Sequence, residues 1–276
     1  PQVFEQLGCE VIPLYCDVDG RFPNHHPDPT VAANLAQLKE KVLATKADIG
    51  LAFDGDGDRL GIVTEKGAAV SADQLLMVLA EEILPRYPGA PVVFDVKCSS
   101  ALAKRIATLG GVPVMHRSGH SFMKQKMQET NAPLGGEYSA HIFLQDRWFG
   151  FDDGIYAAAR VIEILARQAV KASDLFDHLI NGVDTAEIAL PVAEQRKFAL
   201  MDEIAAQADF PDANVITLDG LRVEWPQGWG LLRASNTSPA LLLRFEADDA
   251  DALEDIKSRF KALIMRADKS IDLNPI

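Results

Sequence analysis

The stretch ADIGLAFDGDGDRLGIVTEKG, Ala47 to Gly67, decides how this chain is read. Two apolar runs, ADIGLAF and RLGIVTE, read as strands, and between them Asp54, Asp56 and Asp58 alternate with Gly55 and Gly57. Carboxylates this close repel one another and raise one another's pKa unless a cation lies among them. Three hard oxygen donors suit Mg2+ or Ca2+. A Ca2+ loop is matched at its first, third, fifth and twelfth positions by Asp54, Asp56, Asp58 and Glu65, but Arg59 stands where that loop needs its glycine, and the flanks are strands rather than helices. An aspartyl-nucleophile phosphatase has an apolar strand running into Asp-x-Asp and wants Thr or Val two residues beyond the second Asp, where Asp58 stands. A solvated acidic turn without a ligand leaves the glycines unexplained, because glycine beside every aspartate indicates close approach to something. Mg2+ is the best account.

Around this turn helices and strands alternate, which implies α/β layers. Before it come a helix-like PQVFEQLG, a strand-like CEVIPLYC, a polar DGRFPNHHPDPT loop and a helix over VAANLAQLKEKVLATK. After it, from Ser71, the helices SADQLLMVLAEEILPRY, SSALAKRIATLG, SFMKQKMQET and DDGIYAAARVIEILARQAV alternate with the strands APVVFDV, VPVMHR and APLGGE. Two similar α/β domains in tandem are expected. Beyond about Asp184 the strands follow one another in hairpin fashion, with Asp219 and Gly220 as a tight turn between VITL and LRVEW, so this part reads as an antiparallel sheet with packed helices. The chain begins without Met and enters in the middle of a βαβ unit; the expectation is a fragment whose N-terminal part lies elsewhere.

A length of 276 residues suits about two domains, or three small ones. The hydrophobic share of 48% and charged share of 24% are those of a globular protein that can bury a core. A formal net charge of -13 argues against a nucleic-acid partner, which needs a basic face. It does not exclude a small phosphorylated substrate, for which a few cations in a cleft suffice. Three cysteines, Cys9, Cys16 and Cys98, in no metal-like spacing suit a reducing compartment, and a cytoplasmic location is expected. No apolar run approaches the roughly 20 residues needed to cross a bilayer, and no leader opens the chain, so no membrane partner is expected.

Four further stretches suit a sugar phosphate. RASNTSP, Arg233 to Pro239, lies between two strand-like runs and offers a guanidinium, hydroxyls and a carboxamide, a set that can wrap a phosphate; alone it is equally a Ser/Asn turn closed by Pro. GGEYSAH carries Glu137, Ser139 and His141 at period two, so in an extended segment all three would face one side, suited to adjacent sugar hydroxyls with His141 able to move a proton near neutral pH. Taken alone, a salt-bridged Glu and a surface His explain it as well. VVFDVKCSS puts Lys97 at the carboxyl end of a strand with Ser99 as candidate N-cap, and HRSGHSFMKQKM puts Ser118, Gly119 and His120 at the corresponding end of the next.

At these residues the sequence resembles the α-D-phosphohexomutase superfamily, in particular the bacterial phosphomannomutase/phosphoglucomutase branch. LAFDGDGDRLGIVTEKG, FDVKCSSAL, SGHSFMKQKM, GEYSAHIF, RWFGFDDGIYAAAR and GWGLLRASNTSPALLLRFEA carry the resemblance in order from Pro1 to the C-terminal end. It implies tandem phosphohexomutase-type α/β domains, a mixed sheet between helices, followed by a C-terminal α+β domain of the TATA-box-binding-protein-like type. Residues 1–68 would be the end of the second family domain with the metal loop, 69–182 the third with the sugar loop, and 183–276 the fourth with the phosphate loop. The implied activity is reversible 1-to-6 phosphoryl transfer (an isomerase of the intramolecular phosphotransferase class, EC 5.4.2.-) through a phosphoserine and a hexose 1,6-bisphosphate. The implied substrates are glucose 1-phosphate, glucose 6-phosphate, mannose 1-phosphate and mannose 6-phosphate, with glucose 1,6-bisphosphate as activator; bacterial members commonly feed exopolysaccharide synthesis, and members of this branch are often monomers. By the family pattern Asp54, Asp56 and Asp58 hold Mg2+, Arg59 neutralises phosphoryl charge, and Lys97, Ser118, Gly119 and His120 line the cleft. Glu137 and Ser139 read sugar hydroxyls, His141 transfers a proton, and Arg233, Ser235, Asn236 and Thr237 grip the non-reacting phosphate. Two departures stand out. Ala140 replaces the second glycine of Gly-Glu-x-Ser-Gly-His, and the serine loop of the first domain is absent, so the nucleophile is expected outside this chain. The piece alone is then expected to be inactive, and the alternative is a noncatalytic sugar-phosphate-binding fragment.

Overall fold

The computed structural model describes residues 1–179 and 182–276 and divides into two compact units. The first comprises Pro1–Phe94, Leu102–Val114 and Gly119–Leu179. It opens on α1 (Gln2–Gln6) and, after a long irregular segment, α2 (Ala36–Thr45), which ends on Lys46 in the left-handed conformation. The strand expected over CEVIPLYC is not formed. Pro13 has no amide hydrogen to give a ladder, and no described strand pairs with the segment, whose Ile12 and Tyr15 face solvent. β1 (Ile49–Phe53), β2 (Leu60–Thr64) and β3 (Ala69–Val70) form an antiparallel three-stranded sheet, with Phe53 opposite Leu60 where the aspartate turn closes. α2 and the residue before it cover the sheet, with Leu35, Leu38 and Val42 against Ala52 and Val63.

The chain then enters α3 (Ala72–Ile83), fixed at its start by a capping box in which Gln74 accepts the Ser71 amide at 3.0 Å. Leu75 to Ala80 are all buried, as expected of a helix apolar on every side. β4 (Pro91–Asp95), α4 (Ser100–Thr108), β5 (Val112–His116), α5 (His120–Thr130), β6 (Leu134–Gly136) and β7 (Ile142–Leu144) follow, with strand order β5-β4-β6-β7, β4 parallel to β6 and β6 antiparallel to β7. This is the mixed sheet between helices. β6 is built from Leu-Gly-Gly because a side chain at Gly136 would meet Leu76 of α3 at 2.7 Å and one at Gly135 would meet Met127 of α5 at 2.6 Å. α6 (Gly154–Gln168), capped by Asp153, and α7 (Ala172–Phe176) complete the unit, and the Ser173 hydroxyl and amide bind Glu65 next to β2 at 2.6 and 3.0 Å.

The second unit comprises Ile180–Ile276 with Asp95–Ala101 and Met115–Ser118, the segments that follow β4 and end β5. Its elements are β8 (Val183–Asp184), β9 (Ile188–Pro191), α8 (Lys197–Ala206), β10 (Asn214–Ile216), β11 (Leu221–Trp225), β12 (Gly228–Ala234), β13 (Ala240–Ala247) and α9 (Ala250–Ala267). The sheet runs β10-β11-β12-β13-β8, with β9 also on β13, all antiparallel. Period-two alternation assigns its faces. Leu221, Val223, Leu232, Leu241, Leu243 and Phe245 pack under Ile256, Phe260, Leu263 and Ile264 of α9. On the opposite face Trp229 and Leu231 pack on Val96 and Met115, and Arg222 lies with its guanidinium 3.8 Å from the Trp229 ring centre. The β10–β11 connection is longer than a two-residue turn: Ile216 pairs with Arg222, so β10 ends before Leu218 and Asp219 sits in an open loop. The chain thus has tandem α/β elements followed by an α+β domain. Among the described residues no helix is long and apolar enough to cross a membrane.

Candidate functional site

In the first unit the β1–β2 turn brings one oxygen each of Asp54, Asp56 and Asp58 within 4.8 Å of one another. Asp54 organises the turn. Its Oδ1 accepts the Gly57 and Arg59 amides at 3.1 Å and its Oδ2 accepts Arg59 Nε at 2.7 Å, while Arg59 also lies 3.2 Å from Asp28. Burial pushes the Asp54 pKa up, but the Arg59 hydrogen bonds and charge outweigh it and leave the group below the usual carboxylate range. For Asp58 the balance is opposite: burial, together with Asp54, Asp56 and Asp152, raises its pKa against the attraction of His141. Its Oδ1 is buried with no hydrogen-bond partner among the described residues. A raised, orphaned carboxylate between two others is the electrostatic signature that a hard divalent cation would relieve, so the donor set fits Mg2+.

The second cluster of this unit abuts the first. Leu60 donates its amide to the Ala140 carbonyl at 3.2 Å, and Arg59 and His141 form an antiparallel bridge. Glu137 to His141 is a turn rather than an extended segment: Ala140 donates to the Glu137 carbonyl at 3.0 Å and Glu137 to the His141 carbonyl at 2.9 Å. The backbone thus folds through a turn here, not through strand alternation, and the Glu137 and His141 side chains lie close enough for their charges to interact. Glu137 is buried and its Oε1 accepts the Gly119 amide at 2.5 Å, at the start of α5. His120, the first residue of that helix, stacks on His141 with ring centres 6.2 Å apart. Sequence reasoning missed Asp152 and Lys124. Asp152 lies 3.1 Å from His141 Nδ1 and 3.0 Å from Lys124 Nζ. Burial disfavours charge on His141, yet the Asp152 hydrogen bond and the charges of Glu137 and Asp58 prevail and hold its pKa above the ordinary value. Burial raises the Asp152 pKa, but hydrogen bonds from His141 and Lys124 outweigh it and hold the group far below the usual range. The signal for Asp152 was weak, because DDG before a helix announces a cap, and the cap is Asp153.

Ala140 stands at φ +75°, where the family pattern has glycine. A left-handed alanine costs about 1–2 kcal/mol, more than the extra chain entropy a glycine would lose on folding. Ala140→Gly is therefore expected to stabilise the chain by about 0.5 kcal/mol in denaturant unfolding; destabilisation would mean that burial of the methyl group outweighs the backbone strain.

In the second unit Lys97 is nearly buried, with Nζ 3.6 Å from Asp95, and Ser99 caps α4 by accepting the Ala101 amide at 3.1 Å. Ser118 Oγ donates to Asp95 at 2.7 Å. Arg233, at the end of β12, is buried, whereas Asn236 and Thr237 are exposed at the loop tip. Ser235 spends its hydroxyl inside the loop, accepting the Thr237 and Ser238 amides at 3.3 and 3.1 Å and the Ser238 hydroxyl at 2.7 Å. In these contacts it only accepts, so none of them uses its own O–H. Gly119, His120, Glu137, Ser139 and His141 thus lie in the first unit with the aspartate turn, and Lys97, Ser118 and the 233–237 loop in the second. Asp219, which pairs with Arg233 at 3.1 Å, went unrecognised in the sequence because it read as a turn residue.

Comparison with known proteins agrees with this arrangement. Three phosphoglucomutase/phosphomannomutase family profiles match in order: alpha/beta/alpha domain II over residues 1–67, alpha/beta/alpha domain III over 71–182 and the C-terminal domain over 187–263. The chain is 51% identical over 271 residues to a phosphomannomutase/phosphoglucomutase of Pseudomonas aeruginosa, covering 98% of this chain and 58% of that protein. It is 49% identical over 265 residues to a phosphoglucomutase of Neisseria gonorrhoeae, covering 95% and 57%. The crystal structure of a phosphoglucomutase/phosphomannomutase family protein from Burkholderia thailandensis superposes with a TM-score of 0.92 at 48% identity, over 98% of this chain and 58% of that one. The chain therefore spans a little over half the length of these relatives. With the aspartate turn, the Glu137–His141 turn and the 233–237 loop each falling within a matched domain, the chain belongs to the phosphoglucomutase/phosphomannomutase family of the α-D-phosphohexomutase superfamily.

Proposed function

We propose that this chain is the metal-, sugar- and phosphate-binding part of a phosphohexomutase that interconverts glucose 1-phosphate with glucose 6-phosphate and mannose 1-phosphate with mannose 6-phosphate. The observation that supports it best is the abutment of two clusters in the first unit: the aspartate turn meets the Glu137–His141 turn through the Leu60 amide and the Arg59–His141 bridge. A cation site beside groups suited to sugar hydroxyls is what phosphoryl transfer between hydroxyls of one hexose requires, since the protein's share of that chemistry is positioning and charge stabilisation.

In this reading Asp54, Asp56 and Asp58 hold Mg2+, which when bound supplies positive charge to a phosphoryl oxygen. Arg59, fixed by Asp54 and Asp28, adds charge beside it. Glu137 and Ser139 read the sugar hydroxyls. His141, with Nδ1 against Asp152, has Nε2 left to take or return a hydroxyl proton, and His120 with Gly119 borders it. Lys97 and Ser118 border the substrate, and Arg233, Ser235, Asn236 and Thr237 hold the phosphate that does not react. The phosphoryl donor is a phosphoserine carried by a domain outside this chain, with a hexose 1,6-bisphosphate as intermediate. Residues 1–68, 69–182 and 183–276 act as the three remaining domains of a cytoplasmic monomer, and by themselves they bind without turnover.

The test is conversion of glucose 1-phosphate to glucose 6-phosphate with Mg2+ and a trace of glucose 1,6-bisphosphate, by these 276 residues and by a longer polypeptide that adds the serine domain. Conversion by the longer polypeptide alone is expected. Conversion by the chain itself would relocate the nucleophile to residues described here, and release of inorganic phosphate without isomerisation would favour a Mg2+-dependent phosphatase.

A further inference from the structure

We propose that Asp219 is a positioning residue for Arg233 and that it ties Arg233 to Lys97 through one continuous run of charges; the inference rests on reading residues 233–237 as a phosphate-binding loop. All the residues concerned belong to the second unit. Arg233 is a buried cation whose NH2 group lies 3.1 and 3.3 Å from the two Asp219 oxygens, while its Nε is buried with no hydrogen-bond partner among the described residues. Asp219 thus holds one end of a planar fork and leaves a donor of that fork unspent. Because the guanidinium is rigid, fixing one end fixes the direction of the rest.

Asp219 does more than pair with Arg233. Its Oδ2 accepts the Ser118 amide at 3.0 Å, Ser118 Oγ donates to Asp95 Oδ2 at 2.7 Å, and Lys97 Nζ lies 3.6 Å from the same Asp95 oxygen. The run Arg233, Asp219, Ser118, Asp95, Lys97 therefore alternates two cations with two carboxylates about one serine. Its own charge is balanced, and both cations are held before an anion arrives, which spares the rotamer entropy that free lysine and arginine side chains would lose on binding. The turn that delivers Asp219 is placed just as firmly. Gly220 has φ +83°, and a side chain there would meet the Leu232 carbonyl oxygen and Arg233 Cα at 2.3 and 2.7 Å, so the loop rests directly on the backbone of Arg233.

A carboxylate beside an anion site has two opposed effects. Its charge repels the ligand, and its hydrogen bonds aim the arginine. We infer that aiming prevails, because a buried guanidinium deprived of its partner would turn to satisfy itself elsewhere. The experiment is calorimetric titration of the full chain with glucose 1-phosphate, for the unsubstituted protein, Asp219→Asn, Asp219→Glu, Arg233→Lys and the double variant Asp219→Asn/Arg233→Lys, with thermal unfolding recorded for each. Asp219→Asn is expected to lower affinity about tenfold, Asp219→Glu to recover most of it, and Asp219→Asn to add little once Arg233 is lysine, a coupling that a purely structural role of the turn would not produce. If Asp219→Asn does not fold, Asp219→Ser takes its place in the same cycle. Unchanged or tighter binding by the Asp219 variant, or losses that simply add in the double variant, would overturn the inference while leaving the phosphate loop standing. No binding by the unsubstituted chain would overturn the loop reading and the inference with it.

Discussion

Asp58→Asn is expected to weaken Mn2+ or Mg2+ binding at the aspartate turn by about a hundredfold or more, since losing a mere supporting residue around a metal already costs 10–100-fold. Asp58 is less satisfied by its own contacts than Asp54, its Oδ1 having only His141 Nδ1 at 3.6 Å among the described charged neighbours of opposite sign. Asp54 is consumed by two amides and the Arg59 side chain, whereas Asp58 Oδ1 is buried without a hydrogen bond and its pKa is raised by burial and by its acidic neighbours. A cation gains most from the carboxylate that pays most for being charged without one. The sign of the pH dependence follows. A raised pKa means that the metal must displace a proton at a higher pH than an ordinary aspartate would require, so affinity falls as pH drops through the Asp58 pKa, and the decline begins at a higher pH than for an unperturbed aspartate. Calorimetric titration with Mg2+, or the bound fraction of Mn2+ by electron paramagnetic resonance, measured against pH, would decide. Equal affinity in Asp58→Asn would remove the metal reading of this turn. Asp54→Asn should behave differently, loosening the turn around Arg59 and lowering stability as well as affinity.

How much of this was legible in the sequence depends on the range of the interaction. The aspartate turn was legible because ligand donors, glycines and flanking strands lie within one hairpin, and β1 and β2 close on it in the expected register. The helices of the α/β part were legible in the sequence, down to the Ser99 cap of α4. CEVIPLYC failed as a strand because apolar composition is not a ladder: a strand needs a partner, and no described one is there. Period-two alternation over Glu137, Ser139 and His141 failed, for Ala140 takes a left-handed φ and turns the chain between β6 and β7. Asp152, Lys124 and Asp219 were beyond sequence reasoning because each acts on a residue distant along the chain. Lys124 reaches Asp152 across 28 positions and Asp219 reaches Ser118 across 101. The arginines of β11 and β13 were also hidden, since LRVEW and LLLRFEA read only as strands and the chain segment their guanidinia bind lies more than a hundred positions away.

Those arginines carry the other large expected effect: Arg222→Met should cost about 3 kcal/mol or more of stability. Arg222 is 1% exposed, and its NH1 donates to the Val96 and Cys98 carbonyls at 2.6 and 2.8 Å. Arg244, on the same face of the sheet, donates to the Lys97 carbonyl between them, and Glu246 accepts the Ser99 and Ser100 hydroxyls at 2.9 and 3.2 Å. Five consecutive residues, 96 to 100, are thus held by three side chains of one sheet face. Burial depresses the Arg222 pKa, and Glu224 and Glu246 offset only part of that cost, so the charge is tolerated for what it binds. Methionine fills much of the volume but leaves two buried carbonyls without donors and removes the cation stacked 3.8 Å from the Trp229 ring centre. Arg222→Lys should recover only part of the loss, because an ammonium on a flexible stem cannot stack on the ring and reach both carbonyls as the planar fork does. Denaturant unfolding measures the loss, and hydrogen exchange locates it. Faster exchange in Arg222→Met confined to residues 95–101 would mean that the sheet face serves to hold Lys97 in place, whereas faster exchange throughout β11–β13 would mean that the arginine chiefly holds the sheet. A loss below about 1 kcal/mol would show that water satisfies the two carbonyls in its place.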